Sequence, residues 1–332
     1  EFVDRIHEIG MKVMLWYSVP FVGLYSKNYE RFKDMLLDET GNNRDYWSLD
    51  PRYPEVREFL IGLYERALLE WGLDGLKLDF IDSFSLHGKS LEADPRRDYT
   101  ALDEAVDVLM KGVLARLQAI KPDILIEFRQ NYIGPAIRQY GNMFRASDCP
   151  GDMQNNRIRI ANLRLTSGTT AVHADMIEWN PNEKPEVAAR HILSALYGVV
   201  QYSVMLRDLP ESHFKVVRHW LDFSQKHRQT LLHGEFRPYH PEACFPVLEA
   251  ESNTERIVTV YQEGVVVKAG TADRDTYIIN ATGAEKVAIE LEGKPKKAEY
   301  YDTYGNLVAG AKLNKGLQSV NIPVSGYVKL IY

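Results

Sequence analysis

The sequence predicts an α/β protein: a (β/α)8 TIM barrel whose first strands are absent from this chain, followed by a small antiparallel β-sandwich. Three observations carry that expectation. Over residues 1–235, short apolar runs alternate with amphipathic helical patterns, the signature of βα units and a parallel sheet. From 236 to 332 the helical periodicity stops, and short strand-like runs alternate with Gly-, Asn- and Asp-bearing turns, as in a small β-sandwich. In the first region, polar residues gather where the strands end, at Asp79 and Asp82, Glu127 and Arg129, Arg145 and Asp148, and His173 and Asp175. A barrel assembles its site from the C-terminal ends of several different strands.

The elements follow in order. Residues 1–10 read as a helix closed by Gly10 and already under way at Glu1, so the chain is expected to be a piece of a longer one. Residues 12–18 read as a buried strand. Residues 54–70 form a helical pattern with Val56, Phe59, Leu60, Leu63, Tyr64, Ala67 and Leu68 on one face. The strand 75–80, the helix 101–121 and the strand 124–128 come next. Strands at 142–145, 169–175 and 199–206 then alternate with helices at 157–167, 185–196 and 210–232. No Gly-x-Gly-x-x-Gly and no phosphate loop follows the first strand, which favours a barrel over a nucleotide-binding sheet. The barrel is then two strands short, which fits a missing N-terminal segment. In the second region, strands are expected at 258–261, 265–268, 276–279, 287–291, 298–301 and 327–332.

Composition narrows the function classes. Lys and Arg total 40 against 46 Asp and Glu, a formal charge of −6, which argues against a nucleic-acid or anionic-membrane partner. No apolar run approaches the ~18–20 residues of a membrane span. With Cys149 and Cys244 alone, a disulfide-stapled fold is excluded. A homo-oligomer is compatible with the sequence.

Asp79 is the sharpest chemical candidate. It ends the strand Gly75-Leu76-Lys77-Leu78-Asp79, and Lys77, two residues earlier, points to the same side. A neighbouring ammonium keeps a carboxylate ionised, as a nucleophile requires; a structural Lys–Asp pair accounts for the spacing equally well. Asp148, after a different strand, is the second carboxylate, with Asp152 as its competitor. Two carboxylates converging on one mouth are the equipment of glycoside hydrolysis. The plainer reading of Asp152 is a helix cap near Asn155. Trp16, Trp47, Tyr132 and Trp179 could pack against sugar rings or belong to core and rim. Glu127, Arg129 and Asn131 alternate along one strand and its exit. His173 and Asp175 lack a third ligand at a diagnostic spacing, so no metal or organic cofactor is expected. No Gly-x-Ser-x-Gly elbow is present, and Cys149 reads as a buried bystander.

These residues resemble a known family. Leu49-Asp50-Pro51-Arg52-Tyr53-Pro54-Glu55-Val56-Arg57, followed by Trp71-Gly72-Leu73-Asp74-Gly75-Leu76-Lys77-Leu78-Asp79, is similar to the barrel of glycoside hydrolase family 36, the melibiase-type α-galactosidases, which are related to families 27 and 31. The resemblance covers residues 1–250. It implies that Asp79 is the nucleophile, that Lys77 contacts the sugar, and that the acid/base falls in the Ser147-Asp148 step. It also implies that a large N-terminal β-domain and the first barrel strands precede this chain. Ala171-Val172-His173 resembles the family's Gly-Ala-His strand. Three departures touch the sugar pocket. Trp16-Tyr17-Ser18-Val19-Pro20-Phe21 lacks the family's Glu, Ile81 stands where the family has Asn, and Glu127-Phe128-Arg129-Gln130-Asn131-Tyr132 replaces a Cys- and Gly-bearing stretch.

The expectation is a retaining α-glycosidase, with Lys77, Trp16, Arg129, Arg145 and His173 as pocket residues and a glycoside or oligosaccharide as substrate. α-Galactose is the leading sugar. α-N-acetylgalactosaminide, β-L-arabinopyranoside, an α-glucan or a transglycosylation acceptor would suit an altered pocket. A non-catalytic carbohydrate-binding protein is the alternative of another class. A chain inert without its N-terminal portion is a further one.

Overall fold

The computed structural model describes residues 1–37, 45–86, 92–130, 132–269 and 273–332. The chain divides into two compact units, Glu1–Phe144 and Arg145–Tyr332.

The first unit begins with α1 (Phe2–Glu8), β1 (Met14–Ser18), β2 (Phe21–Gly23), α2 (Lys27–Phe32) and β3 (Tyr46–Ser48). It continues with α3 (Pro54–Trp71), β4 (Gly75–Asp79), α4 (Leu102–Ile120), β5 (Leu125–Arg129) and the start of β6 (Met143–Arg145). β1, β4 and β5 are parallel neighbours, and Trp16, Lys77 and Glu127 lie abreast in their register. Helix α3 starts with Pro54 in its first turn and ends at Gly72, whose left-handed φ of 68° lets its N–H close onto the Leu68 carbonyl. Its buried stripe is Val56, Leu60, Ile61, Tyr64, Ala67 and Leu68. Gly75 opens β4 because a Cβ there would meet the Leu125 carbonyl oxygen at 2.5 Å. That bare Cα permits the close approach of β4 to β5 from which Asp79 and Arg129 project.

The second unit holds α5 (Met153–Thr166), β7 (Ala171–Ile177), α6 (Pro185–Ser194), β8 (Val199–Tyr202), α7 (Glu211–Lys226) and α8 (Arg228–His233). Ten strands follow: β9 (Glu235–Tyr239), β10 (Val247–Glu251), β11 (Glu255–Val260), β12 (Val266–Lys268), β13 (Asp275–Asn280), β14 (Lys286–Leu291), β15 (Lys297–Tyr301), β16 (Leu307–Ala311), β17 (Gly316–Asn321) and β18 (Tyr327–Ile331). They form a seven-stranded sheet, β16-β15-β18-β13-β11-β10-β9, and a three-stranded sheet, β12-β14-β17. Val258, Ile278 and Val328 of the first sheet pack with Val267, Ile289 and Val320 of the second in one core.

The helix-alternating strands have the sheet order β1-β4-β5-β6-β7-β8, six strands in chain order. That arrangement fits a partial barrel followed by a β region.

Four features differ from the sequence expectation. β1 is an outer strand rather than a buried one, so Leu15 and Trp16 are 37% and 52% exposed. The hairpin of β2 and β3, three residues a side, was too short to show a period. The β region is mixed rather than purely antiparallel. The chain leaves the large sheet after β11 for β12 and returns as β13, so β11 pairs parallel with β13, and β12 with β14. Finally, β9, β10, β16 and β17 carry weak strand signals. β9 contains Pro238 and lies at a sheet edge, and every residue of the edge strand β16 is exposed. β10 buries Glu249 completely, against Arg237 and Arg256.

Candidate functional site

In the first unit the site is built around the Asp79 carboxylate, at the C-terminal end of β4 and only 4% exposed. Its Oδ2 accepts from the Trp16 indole Nε1 at 2.9 Å, and Lys77 Nζ lies 3.7 Å from the same oxygen. Its Oδ1 accepts from Arg129 Nε at 2.9 Å and from the Phe80 backbone N–H at 2.8 Å. The strands β1, β4 and β5 each supply one of these partners, because alternate residues of neighbouring parallel strands share a face. Burial alone would push the Asp79 carboxyl up; the hydrogen bonds from Trp16, Arg129 and the Phe80 N–H outweigh it and hold the group below the usual carboxylate range. Asp79 is therefore an anion with a fixed orientation, flanked by two cations.

Two further residues hold this arrangement: Phe80, which sequence reasoning did not place in the site, and Tyr132, named there only as an aromatic that could pack against sugar or belong to core and rim. Phe80 has φ 63°, left-handed backbone that a bulky residue rarely adopts. That turn aims its N–H at Asp79. Its ring meets Trp16 edge-on, with centroids 6.1 Å apart, and lies 5.3 Å beneath the Arg129 guanidinium. The Tyr132 hydroxyl donates to the Leu78 carbonyl at 2.8 Å, accepts from the Arg129 backbone N–H at 3.1 Å and lies 3.4 Å from Asp79 Oδ1. Burial raises the Tyr132 phenol above its ordinary range, so it stays a neutral hydroxyl. A positive φ at a Phe leaves no mark in the sequence; Tyr132 stood out only as an aromatic near a strand end. Asn131 lies outside the described residues.

In the second unit, Arg145 ends β6 with its side chain almost wholly buried between two acids. It ion-pairs with Asp175, which is fully buried and also accepts from the Cys149 backbone N–H. Its Nη2 donates to Asp148 Oδ1 at 2.6 Å, and the Asp148 side chain is 67% exposed. Arg145 thus holds the exposed carboxylate from beneath. Asp152 is the N-cap of α5: its Oδ1 accepts from the Asn155 N–H at 2.9 Å, and that hydrogen bond leads in lowering its pKa. His173, on β7 and half-buried, has Nδ1 3.1 Å from Gln201 Nε2, and its carbonyl accepts from the Ala146 N–H.

Several other candidates fall elsewhere. Trp179 is buried and donates from Nε1 to His213 Nδ1 at 3.1 Å, a core contact. Trp47 pairs with Val22 in the β2–β3 hairpin. Both cysteines are free thiols; burial, aided by the Asp175 charge, pushes Cys149 up to about 11, which leaves little thiolate at neutral pH. Among the described residues, no group of three or more His, Cys, Asp or Glu side chains could hold a metal ion. Among them too, no helix is long and apolar enough to cross a membrane.

No sequence-family model and no curated protein matches the chain. Solved structures do. The galactosidase domain of alpha-galactosidase-sucrose kinase, AgaSK, superposes with a TM-score of 0.64 at 16% identity, over 99% of this chain and 45% of that one. GH36 alpha-galactosidase AgaA from Geobacillus stearothermophilus gives 0.64 at 17% identity, over 99% and 46%. A noncanonic maltogenic alpha-amylase, AmyB from Thermotoga neapolitana, gives 0.62 at 14% identity, over 100% and 80%. The whole chain therefore matches in fold a part of the GH36 α-galactosidases, the group its motifs resemble, at low identity. It spans less than half the length of those galactosidases.

Proposed function

We propose that this chain carries the catalytic carboxylates of a retaining α-glycosidase, with an α-galactoside as the leading substrate. The observation that carries the reading is the Asp79 carboxylate, ionised and fixed at a strand end by Trp16, Arg129 and the Phe80 N–H. In the proposed reaction an Asp79 oxygen bonds to the anomeric carbon as the bond from that carbon to the leaving oxygen breaks. Asp148 gives its proton to the leaving oxygen. Asp148 then takes a proton from water, the water oxygen attacks the anomeric carbon, and Asp79 departs as carboxylate. The ion pair with Arg145 favours the ionised form of Asp148, so the acid step works against it.

Lys77 and Arg129 offer donors beside the nucleophile, and the exposed face of Trp16 is available to the apolar C–H patch of a sugar ring. His173 is proposed as a further sugar-binding residue. The burial of Arg145 fits a part in positioning Asp148 better than direct contact with sugar. The proposal includes closure of the six-stranded sheet into a (β/α)8 barrel by a preceding part of the protein. Another sugar or a transfer reaction keeps the same two carboxylates.

The test is turnover by the full-length protein on a panel of aryl α- and β-glycosides, with Asp79→Asn as control. Release from the α-galactoside that disappears in the control is the expected result. Release that persists undiminished in Asp79→Asn would overturn the assignment.

A further inference from the structure

In the second unit an open groove of about 770 Å³ lies between α7 and the turn that follows β15. Ser212, Lys215, His219 and Asp222 line it from the helix, at the 3- and 4-residue spacing of one helical face, and Tyr304 and Asn306 line it from the turn. The turn is held by Asp302, whose Oδ1 accepts from the N–H groups of Tyr304 and Asn306, each at 2.9 Å. Gly305 there has φ +80°, and a Cβ on it would sit 2.2 Å from His219 Nδ1, so the bare Cα is what admits the imidazole. The ring stacks on Tyr327 with 3° between their planes. Burial lowers the pKa of His219, which favours the neutral imidazole.

His219 is thus clamped on two sides, yet its Nε2 is buried with no hydrogen-bond partner. An unpaired buried ring nitrogen of this kind is a cost the fold carries. A smaller pocket of about 250 Å³ shares His219 and Asp222 and continues to Lys226. Together the two follow α7 from Glu211 to Lys226, about 22 Å at ~1.5 Å per residue.

We propose that this groove is a second, non-catalytic carbohydrate site that takes an oligosaccharide lying along α7. Sugar hydroxyls both donate and accept, and the wall offers both in close succession: a carboxylate, an amide, an imidazole, a phenol and an aliphatic hydroxyl. The wall of the larger groove sets two acids, Glu211 and Asp222, against two cations, Lys215 and Arg218, with Lys215 paired to Glu211 at 2.8 Å, so its formal charge is balanced, which disfavours a polyanion. The choice of sugar over another extended polar chain rests on the glycosidase reading; the groove itself rests on its own geometry.

The test is hydrogen–deuterium exchange of the full-length protein carrying Asp79→Asn, with stachyose and separately with maltotetraose. The expected result is slowed exchange over 211–226 and 302–306 with at least one of them. Ser212→Trp, which puts a bulky ring on the groove wall, and Asp222→Ala should each weaken that protection about tenfold or more in sugar concentration, the effect of losing ~1.4 kcal/mol. Exchange over 75–80 reports separately on the Asp79 reading. Protection there with none along α7 would overturn the groove and leave that reading standing. Protection along α7 alone would support the groove and count against the reading. No protection along α7 with either sugar, or protection unchanged by Ser212→Trp, would overturn the groove.

Discussion

Replacing Asp74 with Asn should destabilise the protein by about 2 kcal/mol at neutral pH, and the loss should shrink as pH falls below about 4. Asp74 lies just before β4, nearly buried, and ties three segments together. Its Oδ2 accepts from the Val13 N–H at 2.8 Å and lies 2.7 Å from His7 Nε2, and its Oδ1 accepts from Lys121 Nζ at 2.8 Å. Burial alone would raise its pKa, but these partners, Lys121 foremost, bring the carboxyl down to about 2 from 3.8. At ~1.36 kcal/mol per tenfold change in proton affinity, that depression is worth about 2 kcal/mol of stability. Because the folded value is depressed, the contribution is complete above the unfolded pKa and is lost as pH falls through the folded one. About half is gone at pH 3. The assay is reversible urea unfolding of the full-length protein and of Asp74→Asn at pH 7, 4 and 3. A loss under about 0.5 kcal/mol at pH 7, or one that stays constant down to pH 3, would refute the linkage argument.

Three further predictions concern the second unit. Asp152→Ala should cost about 1 kcal/mol through the lost α5 cap and leave turnover near the parent's. Asp148→Ala should lower turnover by about a hundredfold or more and be rescued by azide, and the reverse pattern would move the acid/base role to Asp152. Iodoacetamide at pH 7 should label Cys244 well before Cys149 in the native protein, because Cys149 is the buried, high-pKa thiol; peptide mapping reads the order, and faster labelling of Cys149 would contradict the burial argument.

The parts of the site that were legible in the sequence are those set by short-range period. Lys77 and Asp79 share a strand face because they are two residues apart, and Asp152 announces its cap by standing three residues before Asn155. What stayed hidden depends on backbone conformation and on distant partners. Nothing local marks Phe80 for positive φ, and nothing near Arg145 says that its guanidinium pairs with Asp175, thirty residues on. The same division holds for the fold. Helices such as α3, with a long apolar stripe and a glycine stop, were readable nearly to the residue. The edge strands β9 and β16 and the charge-burying β10 were not, because tertiary pairing rather than alternation makes them strands. Trp16 was expected to face a pocket from a buried strand; the strand lies at the edge of the sheet, so its side chain is half exposed.

The central claim is that Asp79 is the nucleophile, and trapping the glycosyl-enzyme tests it most directly. The full-length protein would be treated with an activated fluorosugar of whichever glycoside it turns over, digested, and mapped by mass spectrometry. The account predicts one added sugar, on the peptide carrying Asp79 and on that carboxylate, and no label in Asp79→Asn. A sugar attached to any other residue, or an Asp79→Asn protein that is labelled as the parent is, would contradict it.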